Sequence, residues 1–397
     1  MPAPTSASPR NRMATRLRSI PPTIFSEMSA LALRTGSVNL GQGFPDRDGP
    51  ATALEAAVTA LRGGRNQYAP GPGVPELRQA VAEHQARHYG IELDPLSQVI
   101  ITAGATEAVA AAVFAFVEPG EEMVVLEPYY DSYVACIEMA GGVRRPVTLQ
   151  APDFRLDVAA LRAAVTDRTR TILLNSPHNP TGAMLHREEL QAVADVAVEH
   201  DLVVVTDEVY EHLVFDGVHR PLATFPGMAE RTLTISSAGK TFSFTGWKIG
   251  WACGPEALVA AVRTAKQFLT YVNGAPFQPA VAVGLGLGDR FYEDLASGMR
   301  AKRNVLCEGL RAAGFDVFVP QGTYFATVDI RPVSDLPGDA FCRQLPERCG
   351  VVAVPSSVFY GDPVTGDHLV RFAFCKRLDV LEEAATRLAG LGGVAPS

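Results

Sequence analysis

The chain has no CxxC pair among its six cysteines, no apolar run of membrane-spanning length, no run of basic residues and no internal repeat. Each absence removes a class of protein. Cys136, Cys253, Cys307, Cys342, Cys349 and Cys375 are scattered through mostly apolar surroundings, which offers neither zinc-ligand spacing nor a disulfide framework. Buried reduced thiols in a cytoplasmic protein are expected, and no metal site is expected. The longest strongly apolar stretch, 108–117, lies between Glu107 and Glu118 and falls short of the roughly 18 residues that span a bilayer, so it reads as a buried helix. A net charge of −8 without a basic cluster argues against nucleic acid or acidic lipid as partners.

What is present fits a globular protein. At 397 residues, 47% hydrophobic and 20% charged, the chain can bury a large core without disulfides. Its first 26 residues carry four arginines with serines and threonines but no acid, a composition shared with transit peptides. Prolines at 2, 4, 9, 21 and 22 break any long amphipathic helix there, so a disordered tail over 1–18 is the expectation.

From about residue 51 to 290, helical patterns alternate with short apolar runs at 98–102, 122–126, 171–174, 202–206, 232–236 and 249–253. Alternation of this kind predicts an α/β unit, a largely parallel sheet with helices on both faces. After 290 a long charged helix, 291–313, precedes short runs at 315–319 and 324–329, which suits a smaller α+β unit over 291–397.

The chemistry sits where the apolar runs stop. The 171–174 run leads into Asn175-Ser176-Pro177-His178-Asn179-Pro180-Thr181-Gly182, and the 202–206 run into Asp207-Glu208-Val209-Tyr210. Buried parallel strands deliver side chains at their carboxyl ends, the edge where open α/β sheets bind ligands. Lys240, in Ser237-Ala238-Gly239-Lys240-Thr241-Phe242, is flanked by small residues, and Lys248 follows in Thr245-Gly246-Trp247-Lys248. Lysine, aspartate, tyrosine and asparagine so presented match the needs of pyridoxal 5′-phosphate. An amine forms a Schiff base with its aldehyde, and a carboxylate keeps its ring nitrogen protonated. Ser237 and Lys248 suit its phosphate.

With those motifs the chain resembles a class I aminotransferase of the fold-type I pyridoxal-phosphate family. Within it, the chain is similar to the kynurenine, glutamine and methionine aminotransferases and to the actinobacterial N-succinyldiaminopimelate aminotransferases. The segments that carry the likeness run in order: 23–31, 39–46, Asn66-Gln67-Tyr68, Asn179-Pro180-Thr181-Gly182, the lysine motif, and Val370-Arg371-Phe372-Ala373-Phe374-Cys375-Lys376. The resemblance implies a large cofactor-binding domain over 51–290, a small domain over 291–397, and a segment, 19–50, that crosses back onto the small domain.

It also implies roles. Lys240 is the imine partner and proton shuttle, Asp207 the partner of the ring nitrogen, and Tyr210 and Asn179 the partners of the phenolic oxygen. Lys248 stands where many relatives carry arginine, keeping the phosphate charge without the bidentate fork. Gly104-Ala105-Thr106-Glu107 opens the 108–117 helix after an apolar run, and free N–H groups there favour an anion, with Ala105 and Thr106 as the phosphate contacts. Any strand-to-helix turn also wants such residues. Tyr130 aligns with the aromatic that stacks on the ring, with Tyr129 and Tyr133 as alternatives. Arg371, inside an apolar run, would pair the substrate α-carboxylate, with Gly43 and Asn179 beside it. Phe25 is either a side-chain wall or a hydrophobic anchor. Tyr68 implies a homodimer, since relatives reach this residue across a two-fold axis to the neighbouring phosphate.

The reaction expected is ping-pong transamination between an L-amino acid and a 2-oxo acid. No second arginine in a family motif is set to meet a distal carboxylate, and Phe25, Tyr68, Tyr130 and Asn273 are the expected pocket neighbours. That favours large uncharged, aromatic or sulfur-containing side chains. Arg65 is the exception to watch: pointing inward, it would accept an acidic tail such as a succinyl group, the N-succinyldiaminopimelate alternative. A β-eliminating lyase acting on cysteine conjugates is the rival on the same scaffold. A cofactor-sensing regulator is disfavoured, because about 20 residues before the first motif cannot form a helix-turn-helix domain.

Overall fold

Short runs rich in valine, isoleucine and leucine become the central strands because both faces of the sheet are covered. The computed structural model describes residues 13–18, 20 and 23–393. Most of the expected tail, 1–12, lies outside the described residues; Thr15–Leu17 forms one 3-10 turn.

Seven strands build the main sheet in the order Val99–Thr102, Gly250–Cys253, Thr232–Ser237, Val203–Asp207, Thr169–Asn175, Glu122–Glu127, Val143–Thr148. All neighbours pair in parallel except Gly250–Cys253, which is antiparallel to both of its partners. The strand Val143–Thr148 escapes the apolar-run reading, because Arg144, Arg145 and Pro146 interrupt it. Its position at the edge explains the tolerance, since an edge strand can carry charge and a proline without breaking a central ladder. The apolar stretch after Gly104 is a helix, Gly104–Phe116, buried along most of its length.

The carboxyl-terminal unit is a four-stranded antiparallel sheet in the order Val354–Pro355, Leu369–Ala373, Phe325–Asp329, Asp316–Phe318. The long helix Asp289–Ala312 lies against Leu378–Ala389. The amino-terminal segment joins this unit: Val38–Asn39 pairs in parallel with Val351–Val352, and Met28 and Leu40 share a buried cluster with Phe341, Val370 and Phe372.

Two consequences set the site. Parallel strands end at one edge, so Thr102, Glu127, Asn175, Asp207 and Ser237 all finish there. The antiparallel strand begins at that edge, which brings Lys248, two residues before it, to the same place. The six cysteines are unpaired, five of them buried. Among the described residues no helix is long and apolar enough to cross a membrane.

Candidate active site

A cavity of about 390 Å³ opens at this edge, between the main sheet and the carboxyl-terminal unit. Twelve of the thirteen site residues named from the sequence line it: Phe25, Gly43, Ala105, Thr106, Tyr130, Asn179, Asp207, Tyr210, Ser237, Lys240, Lys248 and Arg371. The thirteenth, Tyr68, does not; it stands 82% exposed on this chain, edge-on to Tyr271 at 5.6 Å.

Lys240 lies in the single helical turn Ala238–Thr241 that continues the strand ending at Ser237. Its amine donates to the Tyr324 hydroxyl at 2.9 Å, and that hydroxyl donates to the Gly43 carbonyl at 2.5 Å. Burial pushes the amine down to about 8. A primary amine so held is in part neutral near neutral pH and is available as a nucleophile or base.

Asp207 closes its strand, buried. Its Oδ2 accepts from the Tyr133 hydroxyl at 2.6 Å, and its Oδ1 from the Val209 N–H at only 3.3 Å. Burial raises this carboxyl despite those donors. A buried carboxylate in this state lacks a strong cationic partner, which a protonated ring nitrogen supplies. Beside it Asn175 donates to the Asp207 carbonyl at 2.8 Å and accepts from the Asn179 N–H at 2.7 Å, which fixes the turn bearing Asn179.

Arg371 is 1% exposed, on the strand Leu369–Ala373. It donates to Asn179 Oδ1 at 2.9 Å and to the Gly41 carbonyl at 3.1 Å, and its Nε is buried with no partner. Its guanidinium carbon sits 3.9 Å from the Phe325 ring centroid and about 5 Å from those of Phe25 and Phe359. Burial holds the guanidinium down to about 10. Among the described residues no carboxylate accepts from it, so an anion entering the cavity meets a desolvated, already oriented cation.

At the opposite end, the helix Gly104–Phe116 points its amino-terminus into the cavity. Gly104 adopts φ +73°, and a Cβ there would touch the Lys248 amine at 3.4 Å. Lys248 itself has φ +53°, a left-handed conformation uncommon outside glycine. A Cβ on Gly250 would lie 2.6 Å from the Gly104 carbonyl carbon and 2.7 Å from the Ala105 nitrogen, so this helix start can sit where it does only against glycine. Free N–H groups, Ser237 and an ammonium in one corner make a phosphate-sized anion site.

Tyr130 and Tyr133 both line the cavity, while Tyr129 accepts from Arg144 at 2.5 Å outside it; the Tyr133 hydroxyl is committed to Asp207, which leaves Tyr130 as the ring-facing candidate. One sequence expectation is corrected, and the orientation left open at Arg65 is answered for this chain. Asn273 is not a pocket neighbour, because its side chain ties the Thr102 and Lys248 carbonyls at 3.1 and 3.0 Å. Arg65 does not turn into this cavity; it pairs with Glu76 at 2.8 Å on the surface. Sequence reasoning missed Tyr324, Asn175 and Gln42. Gln42 lines the cavity and donates to the Phe25 carbonyl at 3.0 Å, fixing the amino-terminal wall.

Comparison with known proteins identifies the family. The sequence model of the family described as aminotransferase class I and II matches residues 35–388. The chain is 56% identical over 389 residues to the probable N-succinyldiaminopimelate aminotransferase of Mycobacterium tuberculosis, covering 95% of this chain and 98% of that one. It is 40% identical to the methionine aminotransferase of Escherichia coli, covering 93% and 96%. The solved structure of N-succinyldiaminopimelate aminotransferase from M. tuberculosis superimposes with a TM-score of 0.93 at 56% identity, over 96% of this chain and all of that one.

Proposed function

This chain belongs to the aminotransferase class I and II family and is an aminotransferase, and we propose that it works with pyridoxal 5′-phosphate on an amino acid uncharged near its reacting carbon. N-succinyldiaminopimelate is the favoured substrate. The cavity's side chains fit the cofactor: the Asp207 carboxylate to accept from the protonated ring nitrogen, Asn179 and Tyr210 to donate to the phenolic oxygen, and Tyr130 against the ring face. Ala105, Thr106, Ser237 and Lys248 suit the phosphate, and Tyr68 of a second copy would complete that corner. When bound, the cofactor supplies an aldehyde for an amine and a ring that takes up the electron pair released at Cα. Arg371 would then fix the substrate α-carboxylate, with Asn179 and the Gly43 backbone beside it. Lys240 Nζ would take the Cα proton and return it on the other side of the reaction, steadied by Tyr324.

One observation carries the substrate reading. Lys240, Lys248 and Arg371 are the cations lining the cavity among the described residues, and all three have assignments. None is left for a carboxylate close to Cβ, which disfavours aspartate. N-succinyldiaminopimelate is uncharged over its first side-chain carbons and anionic only at its far end. The 56% identity to a relative named for that substrate supports the same reading. Arg65, three residues from Tyr68, suits the distal carboxylate when the surface that bears both faces a second copy's cavity.

The test is kcat/KM for N-succinyldiaminopimelate, methionine, kynurenine and aspartate. The succinylated substrate is expected to lead and aspartate to trail, with Arg65→Ala losing the succinylated substrate selectively. A strong preference for aspartate overturns the reading. Methionine or kynurenine in first place would favour the second reading, which rests on the Phe25, Phe44 and Tyr130 wall and the 40% identical methionine enzyme. Release of pyruvate and ammonia from a cysteine conjugate, without a 2-oxo acid, would reveal the lyase reaction.

A further inference from the structure

Away from the cavity, three histidines converge where the sequence separates them widely. His84 and His88 are four residues apart on the helix Pro75–Tyr89, so they share one face, and their ring centroids are 4.6 Å apart. His212, 128 residues beyond His84, comes from the turn that follows the strand ending at Asp207; its ring lies 4.9 Å from each of the other two. One ring nitrogen from each residue lies within 4.8 Å of the others. His84 is buried and the other two are half-buried.

Packing alone leaves this cluster unsatisfied. His84 Nε2 and His212 Nε2 are 2.7 Å apart and share a proton, but His84 Nδ1 and His88 Nε2 are buried with no hydrogen-bond partner among the described residues. Buried polar atoms are rarely orphaned, and two in one cluster ask for an occupant. Neutral imidazole is the form that ligates metals. A tetrahedral ion with bonds of about 2.0–2.1 Å to nitrogen sets its ligands about 3.4 Å apart, between the 2.7 Å that separates His84 Nε2 from His212 Nε2 and the 4.8 Å limit of the cluster, so small ring rotations suffice. Three imidazoles suit zinc and its neighbours; calcium and magnesium prefer oxygen.

We propose that His84, His88 and His212 form a structural site for one divalent transition-metal ion of the zinc type, with its fourth position open to water. The ion clips the helix Pro75–Tyr89 to the turn that carries Asp207 and Tyr210. None of the three histidines lines the cavity, so the site is separate from the reaction.

The holoprotein, freed of metal by a chelator and dialysed, is titrated with zinc, and bound zinc is counted by mass spectrometry after gel filtration. Near one zinc per chain is expected, and the thermal transition should rise with zinc. His88→Ala and His212→Asn should each weaken binding by more than the roughly 10–100-fold typical of outer-shell changes, and abolish the thermal shift. His88→Gln serves if the alanine variant unfolds, judged by circular dichroism. Cobalt substituted for zinc should give the visible bands of a four-coordinate nitrogen site in wild type and not in the variants. Wild type binding no more zinc than a folded His88 variant, or variants that keep full binding, overturns the site and leaves a hydrogen-bonded packing cluster.

Discussion

Burial holds the Lys240 amine at about 8 against an ordinary 10.5, so below pH 8 the folded, cofactor-free protein encloses an ammonium with no carboxylate in hydrogen-bond contact. Between about 8 and 10.5 the unfolded chain binds a proton that the folded chain does not, and stability rises with pH across that window. Below it the folded state carries the whole penalty, at most about 3 kcal/mol. Lys240→Met should therefore raise the stability of the cofactor-stripped protein at pH 7 by up to that amount, with the gain shrinking to nothing above pH 10. Thermal unfolding of both proteins across pH 6–11 checks it; a methionine variant no more stable at pH 7 refutes the burial argument. The same variant should lose transamination, and borohydride reduction of the wild-type holoenzyme should attach the cofactor to the peptide containing Lys240. Asp207→Asn should keep the fold and lose at least about a hundredfold in turnover, the scale of one strong electrostatic contact of roughly 3 kcal/mol. Side chains that end a strand were legible because the apolar run announces them. Tyr324 was not, because it enters the site from the other unit, where its contact with Lys240 spans 84 residues and no local pattern marks it.

The elements explain why the site tolerates so little substitution at its glycines. Gly250 begins the antiparallel strand, and the start of the helix Gly104–Phe116 rests directly on its Cα. Gly250→Ala forces a methyl into backbone atoms, which cannot swing away as a side chain can. A cost of about 1–3 kcal/mol is expected, with the helix start displaced from Lys248. The expected signature is weaker cofactor retention, measured by equilibrium dialysis, out of proportion to a modest fall in melting temperature; a loss of stability with unchanged retention would separate this helix start from the phosphate site. The strands followed from composition wherever both faces were apolar, as in Val203–Asp207. Composition failed at Val143–Thr148, where edge position rather than hydrophobicity makes the strand. Nor did the alternation of runs disclose the antiparallel direction of Gly250–Cys253, although that direction is what brings Lys248 to the site.

On the scale of the whole molecule, the helix Asp289–Ala312 serves both units. Its early residues Phe291 and Tyr292 pack with Phe242 and Trp251 of the main sheet's layer, and Leu306 and Leu310 pack with the carboxyl-terminal core. The domain boundary we propose near residue 290 thus falls at the start of a helix that packs into both units. The surface beside the cavity carries the other whole-molecule feature. Phe268 is 81% exposed, next to the half-exposed Tyr271 that Tyr68 meets edge-on. Aromatic side chains clustered this openly are typical of a surface that a second chain covers. Thr270 ties the patch to Glu107 in the first turn of the helix Gly104–Phe116, so a covering chain reaches the anion corner. The proposed homodimer would then share its sites, each cavity taking Lys240 from one chain and Tyr68 from the other. Lys240→Ala and Tyr68→Ala should each be impaired alone. When the two are unfolded and refolded together, random pairing makes half the dimers hybrids, and each hybrid holds one intact site. Recovery of about a quarter of wild-type specific activity is expected for such a two-fold assembly. Sedimentation should show a dimer throughout. A fully active monomer, or a mixture no more active than its parts, would place Tyr68 outside the neighbouring site.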